Sequence, residues 1–154
     1  MSARAPRLVI GGTGSGCGKT TITCALLQAF VERGLDTAAF KCGPDYIDPM
    51  FHSRIIGTRS RNLDAFLCGR DTVPALLQHS AGRDISVIEG VMGYYDGLAG
   101  TSSENSTADI ARLTQSPTVL VVSAKGMSLT LAALLRGFLQ FEQNTIRGVI
   151  LNGI

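Results

Sequence analysis

A glycine-rich stretch near the N-terminus limits what this chain can fold into more than any other feature. Residues 10–21 read IGGTGSGCGKTT. They follow the apolar run 8–10, which favours a β-strand, and they lead into residues 20–33, where apolar side chains recur at helical spacing. Between a strand and a helix, such a loop can turn successive backbone N–H groups inward around phosphate oxygens. The stretch therefore predicts a phosphate-binding loop.

The loop matches the pattern G-x-x-x-x-G-K-[ST] with one displacement. Counting back from Gly18, the first position holds Thr13, and the glycine stands one residue earlier at Gly12. Lys19 is expected to provide a cation for the outer phosphates, and the hydroxyl of Thr20 is placed to bind Mg²⁺. The predicted nucleotide-binding residues of the loop are Gly12, Thr13, Gly14, Ser15, Gly16, Cys17, Gly18, Lys19, Thr20 and Thr21.

The size and charge of the chain narrow the classes of partner. Its 154 residues suffice for one domain with a core, and a net charge of +2 gives no reason to expect nucleic acid or a membrane surface as partner. The sequence has no uninterrupted apolar run of the length that a membrane span needs, and residues 1–7 lack the apolar segment of a secretory signal. The four cysteines show neither zinc-type nor disulfide-framework spacing. We therefore expect a cytoplasmic protein.

Segments typical of strands and of helices alternate along the chain. This order predicts a mostly parallel sheet of about five strands with helices on both faces, wound by right-handed crossovers. With the phosphate loop after the first strand, the expected class is the α/β fold of P-loop NTPases. The predicted strands are residues 8–10, 37–41, 84–89, 118–123 and 146–152, and the predicted helices are residues 20–33, 106–115 and 128–141, with residues 50–80 helical in pieces.

Acidic residues follow two of the predicted strands. Asp45 and Asp48 lie directly beyond the second strand, and Glu89 ends the third. In an open α/β sheet, ligands bind outside the carboxyl ends of the strands, so these side chains are candidate site residues. Glu89 stands where P-loop proteins commonly place a metal-binding carboxylate; a solvated strand end is the alternative, and the phosphate loop makes it the less favoured one. Asp45 and Asp48 could equally be Asx-turn residues that satisfy nearby backbone groups.

The segment 90–105 is long, rich in glycine and without a predicted element, which is typical of functional loops. It contains Asp96, although Asp-Gly is also an ordinary turn. Tyr94 and Tyr95 could face a large planar substrate or pack onto the core. His52 lies close enough to the second strand's acids in sequence to reach the same site. From these residues alone, we expect a phosphate-transferring or phosphate-sensing enzyme.

Four blocks of sequence, taken together, resemble the N-terminal domain of the cobyrinic acid a,c-diamide synthases. The blocks are GPDYIDP at 43–49 followed by His52, NLD at 62–64, EGVMGYYDG at 89–97 and STAD at 106–109. They cover most of the chain, and the first and third are highly specific. The displaced glycine at Gly12 is also similar to the wider dethiobiotin-synthetase-like group of P-loop proteins.

The resemblance implies an activity and a set of site residues. The activity is the ATP-dependent amidation of the a- and c-acetate carboxylates of cobyrinic or hydrogenobyrinic acid through an acyl phosphate, in cobalamin biosynthesis. ATP and Mg²⁺ are the implied cofactors. By matching positions, the implied catalytic residues are Lys19, Asp45, Asp48, Glu89 and Asp96, the metal ligands are Thr20, Asp45 and Glu89, the substrate contacts are Tyr46 and Ile47, and Asn152 reads the nucleotide base.

The resemblance also implies a second domain. Members of the family carry a C-terminal glutaminase domain that supplies ammonia, and the enzyme class is a glutamine-hydrolysing carbon–nitrogen ligase. Residues 1–154 are therefore expected to be a truncated N-terminal P-loop synthetase domain without glutaminase activity. The expected partners are a corrinoid or related tetrapyrrole substrate and the missing glutaminase domain, and a homodimer stays open.

Two alternative functions stay open at this point. The nickel-sirohydrochlorin a,c-diamide synthases share these motifs, so the first alternative is the same chemistry on a different tetrapyrrole. The second, from another class, is a nucleotide-switch ATPase like those of partition and septum positioning. Such ATPases place a second lysine five residues before the P-loop lysine, where this chain has Gly14. That departure favours the synthetase.

Overall fold

The computed structural model describes residues 6–80 and 82–153, and within them six strands form one sheet whose neighbours all run parallel. The strands are β1 (Arg7–Gly12), β2 (Thr37–Cys42), β3 (Ser60–Leu63), β4 (Ile85–Glu89), β5 (Thr118–Ser123) and β6 (Ile146–Asn152). Their spatial order is β3-β2-β4-β1-β5-β6. Because the strand order changes direction next to β1, a crevice for a ligand is expected at the carboxyl end of β1.

Each connection between successive strands contains at least one helix. They are α1 (Lys19–Glu32), α2 (Ile47–Phe51), α3 (Ala65–Cys68), α4 (Thr72–Gln78), α5 (Thr107–Leu113) and α6 (Thr130–Gln140). A π-helical turn (His52–Ile56) continues from α2, and a 3₁₀ turn (Leu98–Gly100) lies in the loop after β4. In the described part of the chain, no helix combines the length and the apolar character needed to cross a membrane.

Both faces of the sheet are covered, because adjacent side chains of a strand point to opposite sides. Val9 packs on one face with Phe40, Ile88 and side chains of α4 and α5. Its neighbour Ile10 packs on the other face with Leu27 of α1. A third cluster joins β5 and the loop after β4 to α6. The near-continuous apolar runs of the central strands follow from this double burial.

The predicted fold is confirmed in class and in most of its elements. β5 and β6 have the predicted bounds, and α1 begins at Lys19, one residue before the predicted start. The sequence does not predict β3, so the sheet has one strand more than expected. Ser60, Arg61 and Asn62 of β3 are polar and half-buried, because this strand lies at the sheet edge and, among the described residues, pairs with β2 alone. A strand of this kind lacks the apolar run by which strands are found in a sequence.

Candidate active site

The loop between β1 and α1 is shaped by its glycines. Gly16 and Gly18 have φ angles of +73° and +102°, which glycine adopts freely and other residues rarely do. A Cβ on Gly12 would lie 2.5 Å from Cys17 Sγ and 2.8 Å from Lys19 Cδ, so the displaced glycine makes room for the lysine. Gly18 precedes α1 without a side-chain cap, which leaves the first N–H groups of the helix to an anion.

Lys19 lies buried across this loop. Its ammonium group donates hydrogen bonds to the carbonyl oxygens of Gly14, at 2.8 Å, and Met92, at 2.6 Å. Burial is the main reason that the pKa of Lys19 lies below its ordinary value, and the positive charge of Lys41 acts in the same direction. Carbonyl oxygens orient the ammonium group but do not neutralise its charge. An anionic ligand on the loop would offset that buried charge.

Glu89 ends β4 and is completely buried beside the loop. Its Oε1 accepts hydrogen bonds from Thr20 Oγ1 at 2.5 Å and from Lys41 Nζ at 2.9 Å, and its Oε2 lies 3.3 Å from His52 Nε2. Burial alone would raise the pKa of Glu89. The close contact of His52, the charge of Lys41 and the hydrogen bond from Thr20 together outweigh burial and set this pKa below its ordinary value. The carboxylate is therefore ionised next to the predicted metal ligand Thr20.

Lys41 is the residue of this cluster that the sequence analysis did not identify. It lies in β2, where every residue is buried, and its ammonium group is 2.6 Å from Asp48 Oδ2 and 2.9 Å from Glu89 Oε1. Burial lowers the pKa of Lys41, but the charge of Glu89 and the hydrogen bonds of both acids raise it above its ordinary value. A signal for this pairing exists in the sequence, because a lysine inside an apolar strand is almost always paired when buried.

The two aspartates after β2 take different positions. Asp48 contacts Lys41 directly, whereas Oδ2 of Asp45 is 3.9 Å from Lys41 Nζ. Oδ1 of Asp45 accepts a hydrogen bond from the N–H of Ile47 at 2.9 Å, which is the geometry of an Asx-turn. Asp45 therefore shapes its own turn and also borders the cluster around Lys41. Its role as a metal ligand stays a prediction.

Asn62 of β3 holds this acidic segment in place. Its Nδ2 donates hydrogen bonds to the carbonyl oxygens of Gly43, at 2.7 Å, and Asp45, at 2.5 Å. Gly43 has a φ of +77°, so the chain turns sharply there as it leaves β2. β3, which the sequence does not predict, thus orders the acidic segment after β2, which the sequence does predict as part of the site.

Asp96 lies in the loop after β4, which contacts the phosphate loop through Met92 and Tyr94. Its Oδ2 accepts a hydrogen bond from the N–H of Gly93 at 2.8 Å, and its side chain is exposed. The charge of Asp96 acts on Lys19 and raises the pKa of that group, against the larger effect of burial. The catalytic role that the resemblance implies for Asp96 stays a prediction.

The two tyrosines of the same loop pack into the protein. Tyr94 is completely buried under β1, where a Cβ on Gly11 would lie 2.8 Å from its ring. Tyr95 donates its hydroxyl to the carbonyl oxygen of Phe138 in α6 at 2.7 Å. Of the two interpretations that the sequence allows for these residues, core packing is the one found in the structure.

An exposed apolar surface lies beside the acidic segment. Tyr46 and Ile47 are 71% and 65% exposed, and Met50 and Phe51 of α2 are exposed with them. Apolar side chains next to charged groups suit a large ligand with an apolar body and polar substituents. Substrate contact by Tyr46 and Ile47 stays a prediction.

Asn152 at the end of β6 contacts the backbone of the phosphate loop. Its Nδ2 donates to the carbonyl oxygen of Cys17 at 2.9 Å, and a Cβ on Gly18 would lie 2.3 Å from that same nitrogen. β6 therefore ends in contact with the predicted phosphate loop. Recognition of a nucleotide base by Asn152 stays a prediction.

The donor set at the site suits Mg²⁺. Thr20 and Glu89 offer a hydroxyl and a carboxylate oxygen 2.5 Å apart at the start of α1. Within residues 6–80 and 82–153, no group of three or more His, Cys, Asp or Glu side chains is placed to hold a metal by itself. Mg²⁺ ordinarily takes one or two protein oxygens and completes its shell with water and substrate phosphates, so the residues present fit this ion.

Residues 8–154 match the family model of the CobQ/CobB/MinD/ParA nucleotide binding domain. The chain belongs to this family. The match includes the phosphate loop, Lys41, Glu89 and Asn152, so the cluster described above lies inside the family domain.

Curated relatives that match nearly the whole chain are named as a,c-diamide synthases. A hydrogenobyrinate a,c-diamide synthase of Streptomyces coelicolor is 50% identical over 151 residues, which is 97% of this chain and 31% of the relative. Cobyrinate a,c-diamide synthases of Clostridium acetobutylicum and Leptospira interrogans are 49% and 46% identical, over 96% and 92% of this chain and 33% and 32% of their own lengths. The resemblance stated from the sequence is confirmed. The chain spans about a third of the length of these relatives.

Solved structures support the fold. The kinase domain of the Escherichia coli tyrosine kinase ETK has a TM-score of 0.66 and 16% identity, and the match covers 99% of this chain and 69% of the kinase domain. The signal recognition particle receptor FtsY of Elizabethkingia anophelis has a TM-score of 0.70 and 14% identity, with 97% and 52% covered. At such identities the likeness concerns the fold alone.

Proposed function

We propose that this chain is the nucleotide-binding domain of an enzyme that amidates the a- and c-acetate carboxylates of cobyrinic or hydrogenobyrinic acid with ATP, in cobalamin biosynthesis. The observation that carries the proposal is the cluster of the buried Glu89 and Lys41 with Asp48, beside Lys19 and Thr20. A triphosphate on the loop would end at this cluster, next to the apolar surface of α2. The names of the relatives supply the substrate class.

The chemistry requires activation of a carboxylate, because a free carboxylate resists attack by ammonia. In the first step a carboxylate oxygen of the substrate attacks the γ-phosphorus of ATP, and ADP leaves. In the second step ammonia attacks the carbonyl carbon of the acyl phosphate, the bond to the phosphate oxygen breaks, and an amide, a proton and phosphate remain. Both steps bring anions together, so the site must supply positive charge.

The residues of this chain divide that task. Lys19 binds the outer phosphates and reduces the repulsion between the two anions. Mg²⁺, when bound, adds positive charge at the phosphates. Lys41 keeps the carboxylates of Asp48 and Glu89 close together without mutual repulsion. The remaining roles are metal binding by Thr20, Glu89 and Asp45, support of the intermediate by Asp96, contact with the macrocycle by Tyr46 and Ile47, and reading of the nucleotide base by Asn152.

The proposal extends to the complete polypeptide. Residues 1–154 form its N-terminal P-loop synthetase domain, and a C-terminal glutaminase domain releases the ammonia, which makes the enzyme a glutamine-hydrolysing carbon–nitrogen ligase. The threefold greater length of the relatives supports a further domain. Location in the cytoplasm and assembly as a homodimer stay predictions.

The test is an amidation assay with the complete polypeptide. It is supplied with ATP, Mg²⁺ and ammonium, and with cobyrinic acid, hydrogenobyrinic acid or nickel-sirohydrochlorin in turn, and the tetrapyrroles are weighed by mass spectrometry. We expect one and then two conversions of carboxyl to amide in a corrinoid, and none when ATP is omitted.

The same assay separates the alternatives. Conversion of nickel-sirohydrochlorin alone would assign the first alternative. ATP hydrolysis that ignores every tetrapyrrole would favour a nucleotide switch and overturn the proposal.

A further inference from the structure

A buried histidine contacts the carboxylate of Glu89. His52 begins the π-helical turn after α2 and has no solvent exposure. Its Nε2 lies 3.3 Å from Glu89 Oε2, and its Nδ1 lies 3.3 Å from the hydroxyl oxygen of Ser60 in β3. Within the described residues, neither His52 Nε2 nor Glu89 Oε2 makes a hydrogen bond of good geometry, either to the other or to a third group. Their 3.3 Å contact is therefore the interaction through which both buried atoms can be satisfied.

We propose that His52 is a positioning residue, whose ring donates a hydrogen bond from Nε2 to Glu89 Oε2 and thereby holds Oε1 toward Thr20 and Mg²⁺. The inference rests on the proposed function only in placing Mg²⁺ at Thr20 and Glu89. His52 touches neither nucleotide nor substrate in this arrangement. It acts through the carboxylate, as second partners of metal ligands commonly do.

The surroundings of the ring select the proton position. An ionised Glu89 can only accept, so Nε2 is the ring nitrogen that carries the hydrogen toward it, and the Ser60 hydroxyl, which can donate or accept, satisfies Nδ1. The other oxygen of Glu89 already accepts hydrogen bonds from Thr20 and Lys41. With the histidine in place, both carboxylate oxygens have donors and the carboxyl plane has one orientation.

The backbone around His52 leaves the ring little freedom. The carbonyl oxygen of His52 accepts a hydrogen bond from the N–H of Thr58 at 3.0 Å, and the turn ends at Gly57 with a φ of +80°. Such π-helical turns are rare and occur frequently at functional sites. Asp48 lies four residues earlier in the same helical segment and contacts Lys41. This one segment therefore carries a partner of Lys41 and a partner of Glu89.

Two neutral variants separate positioning of Glu89 from simple filling of the core. His52→Gln can place an amide N–H near the position of Nε2, whereas His52→Asn reaches only the position of Nδ1. The readout is binding of the β,γ-imido analogue of ATP to the complete polypeptide, measured by calorimetry with Mg²⁺ and again with a chelator.

We expect His52→Asn to reduce the gain in affinity that Mg²⁺ provides by at least about tenfold, and His52→Gln to keep it within about threefold. Binding in the chelator should be the same for both variants and the wild type. An equal loss in both variants, or no loss in either, would overturn the inference, because a residue that only fills space does not distinguish the two amides.

A measurement on the unchanged protein covers the case in which a variant does not fold. In the complete polypeptide labelled with ¹⁵N-histidine, the ring of His52 should show a proton on Nε2. An Nε2 without a proton would overturn the inference. Neither readout involves a tetrapyrrole, so failure of amidation would remove the proposed function and leave this result to be judged separately.

Discussion

Glu89 remains charged inside the sheet because donors face both of its oxygens. Thr20 and Lys41 contact Oε1, and His52 approaches Oε2. Without them, burial would favour the protonated acid, which is a poor ligand for Mg²⁺. The charge of this residue is thus a property of its neighbours on β2, α1 and the π-helical turn.

Replacement of Glu89 by glutamine keeps the shape of the side chain and removes the charge. We expect Glu89→Gln in the complete polypeptide to fold and to bind ATP in a chelator, while amidation falls by about 10²-fold or more because Mg²⁺ loses a ligand. Glu32→Gln, at an exposed position of α1, is the matched control. Near-normal amidation by Glu89→Gln would remove the metal role of this residue.

Lys41 should matter for stability as well as for the site. Lys41→Met leaves the buried Glu89 and the half-buried Asp48 without their shared cation, and we expect a loss of about 3 kcal/mol in the free energy of unfolding. The exposed Lys125→Met should change that value by less than about 0.5 kcal/mol. Urea unfolding monitored by circular dichroism measures both. Equal stability of the two variants would show that the acids do not depend on Lys41.

The glycines of the phosphate loop differ in how much space a side chain would have. Gly12→Ala brings a Cβ within 2.5 Å of Cys17 Sγ, whereas a Cβ on Gly14 meets nothing within 4 Å. We expect Gly12→Ala to lower the free energy of unfolding without nucleotide by about 1–3 kcal/mol, from overpacking. Gly14→Ala should leave it within about 0.5 kcal/mol. Comparable values for the two variants would contradict the packing against Lys19.

The start of α5 fastens the long loop that follows β4. Ser106 caps the helix by accepting a hydrogen bond from the N–H of Asp109 at 3.2 Å, as the sequence predicts. The buried carboxylate of Asp109 accepts two hydrogen bonds from Arg70, at 2.6 and 2.9 Å, and one from the N–H of Asn105 at 2.9 Å. Burial would raise the pKa of Asp109, but these bonds and the charge of Arg70 hold it below its ordinary value.

This depressed pKa predicts how stability depends on pH. A carboxyl group whose pKa is lower in the folded than in the unfolded state stabilises the fold fully above the unfolded value, about 3.9, and loses that contribution as pH falls through the folded value. We expect Asp109→Asn to lower the free energy of unfolding by about 1–3 kcal/mol at pH 7, and this difference to shrink below about pH 4. Urea titrations across that range measure it, with the exposed Asp71→Asn as control. A difference that does not change with pH would contradict the ion pair.

At the scale of the whole molecule, the register of the sheet assembles the site. Lys41 of β2 pairs across from Glu89 of β4, and Glu89 pairs across from Ile10 of β1, two residues before the end of that strand. Parallel strands present their carboxyl ends at one edge, so the phosphate loop, the lysine and the acid meet there. A slip of one residue would turn Lys41 or Glu89 to the opposite face.

The chain by itself should perform only part of the proposed reaction. We expect residues 1–154 to bind ATP with Mg²⁺ and to release no glutamate from glutamine above background, because the resemblance assigns that step to a C-terminal domain. A glutamate dehydrogenase-coupled assay measures the release, with the complete polypeptide as positive control. Glutamate release by the isolated chain would contradict the proposed division of labour.

The sequence alone predicts features that depend on neighbours along the chain. The phosphate loop, the cap at Ser106 and the strands β5 and β6 rest on local patterns of glycine, polar caps and apolar runs, and all are found in the structure. The sequence also predicts Asp48 and Glu89 as site residues, because the carboxyl ends of parallel strands lie at one edge of the sheet and ligands bind there. The loop pattern and the position of Glu89 also predict Mg²⁺, whereas the assignment of ATP and a corrinoid comes from the resemblance.

The tertiary structure decided what depends on residues distant in sequence. β3 is polar and short, so its existence follows from pairing with β2 rather than from its own composition. Lys41 belongs to the site because sheet register sets it opposite Glu89, and His52 joins because the π-helical turn folds back onto the same carboxylate. The sequence by itself thus determined the phosphate loop and the class of fold, while the charge and orientation of Glu89 were decided by packing, since they arise from donors 37 to 69 residues away in the chain.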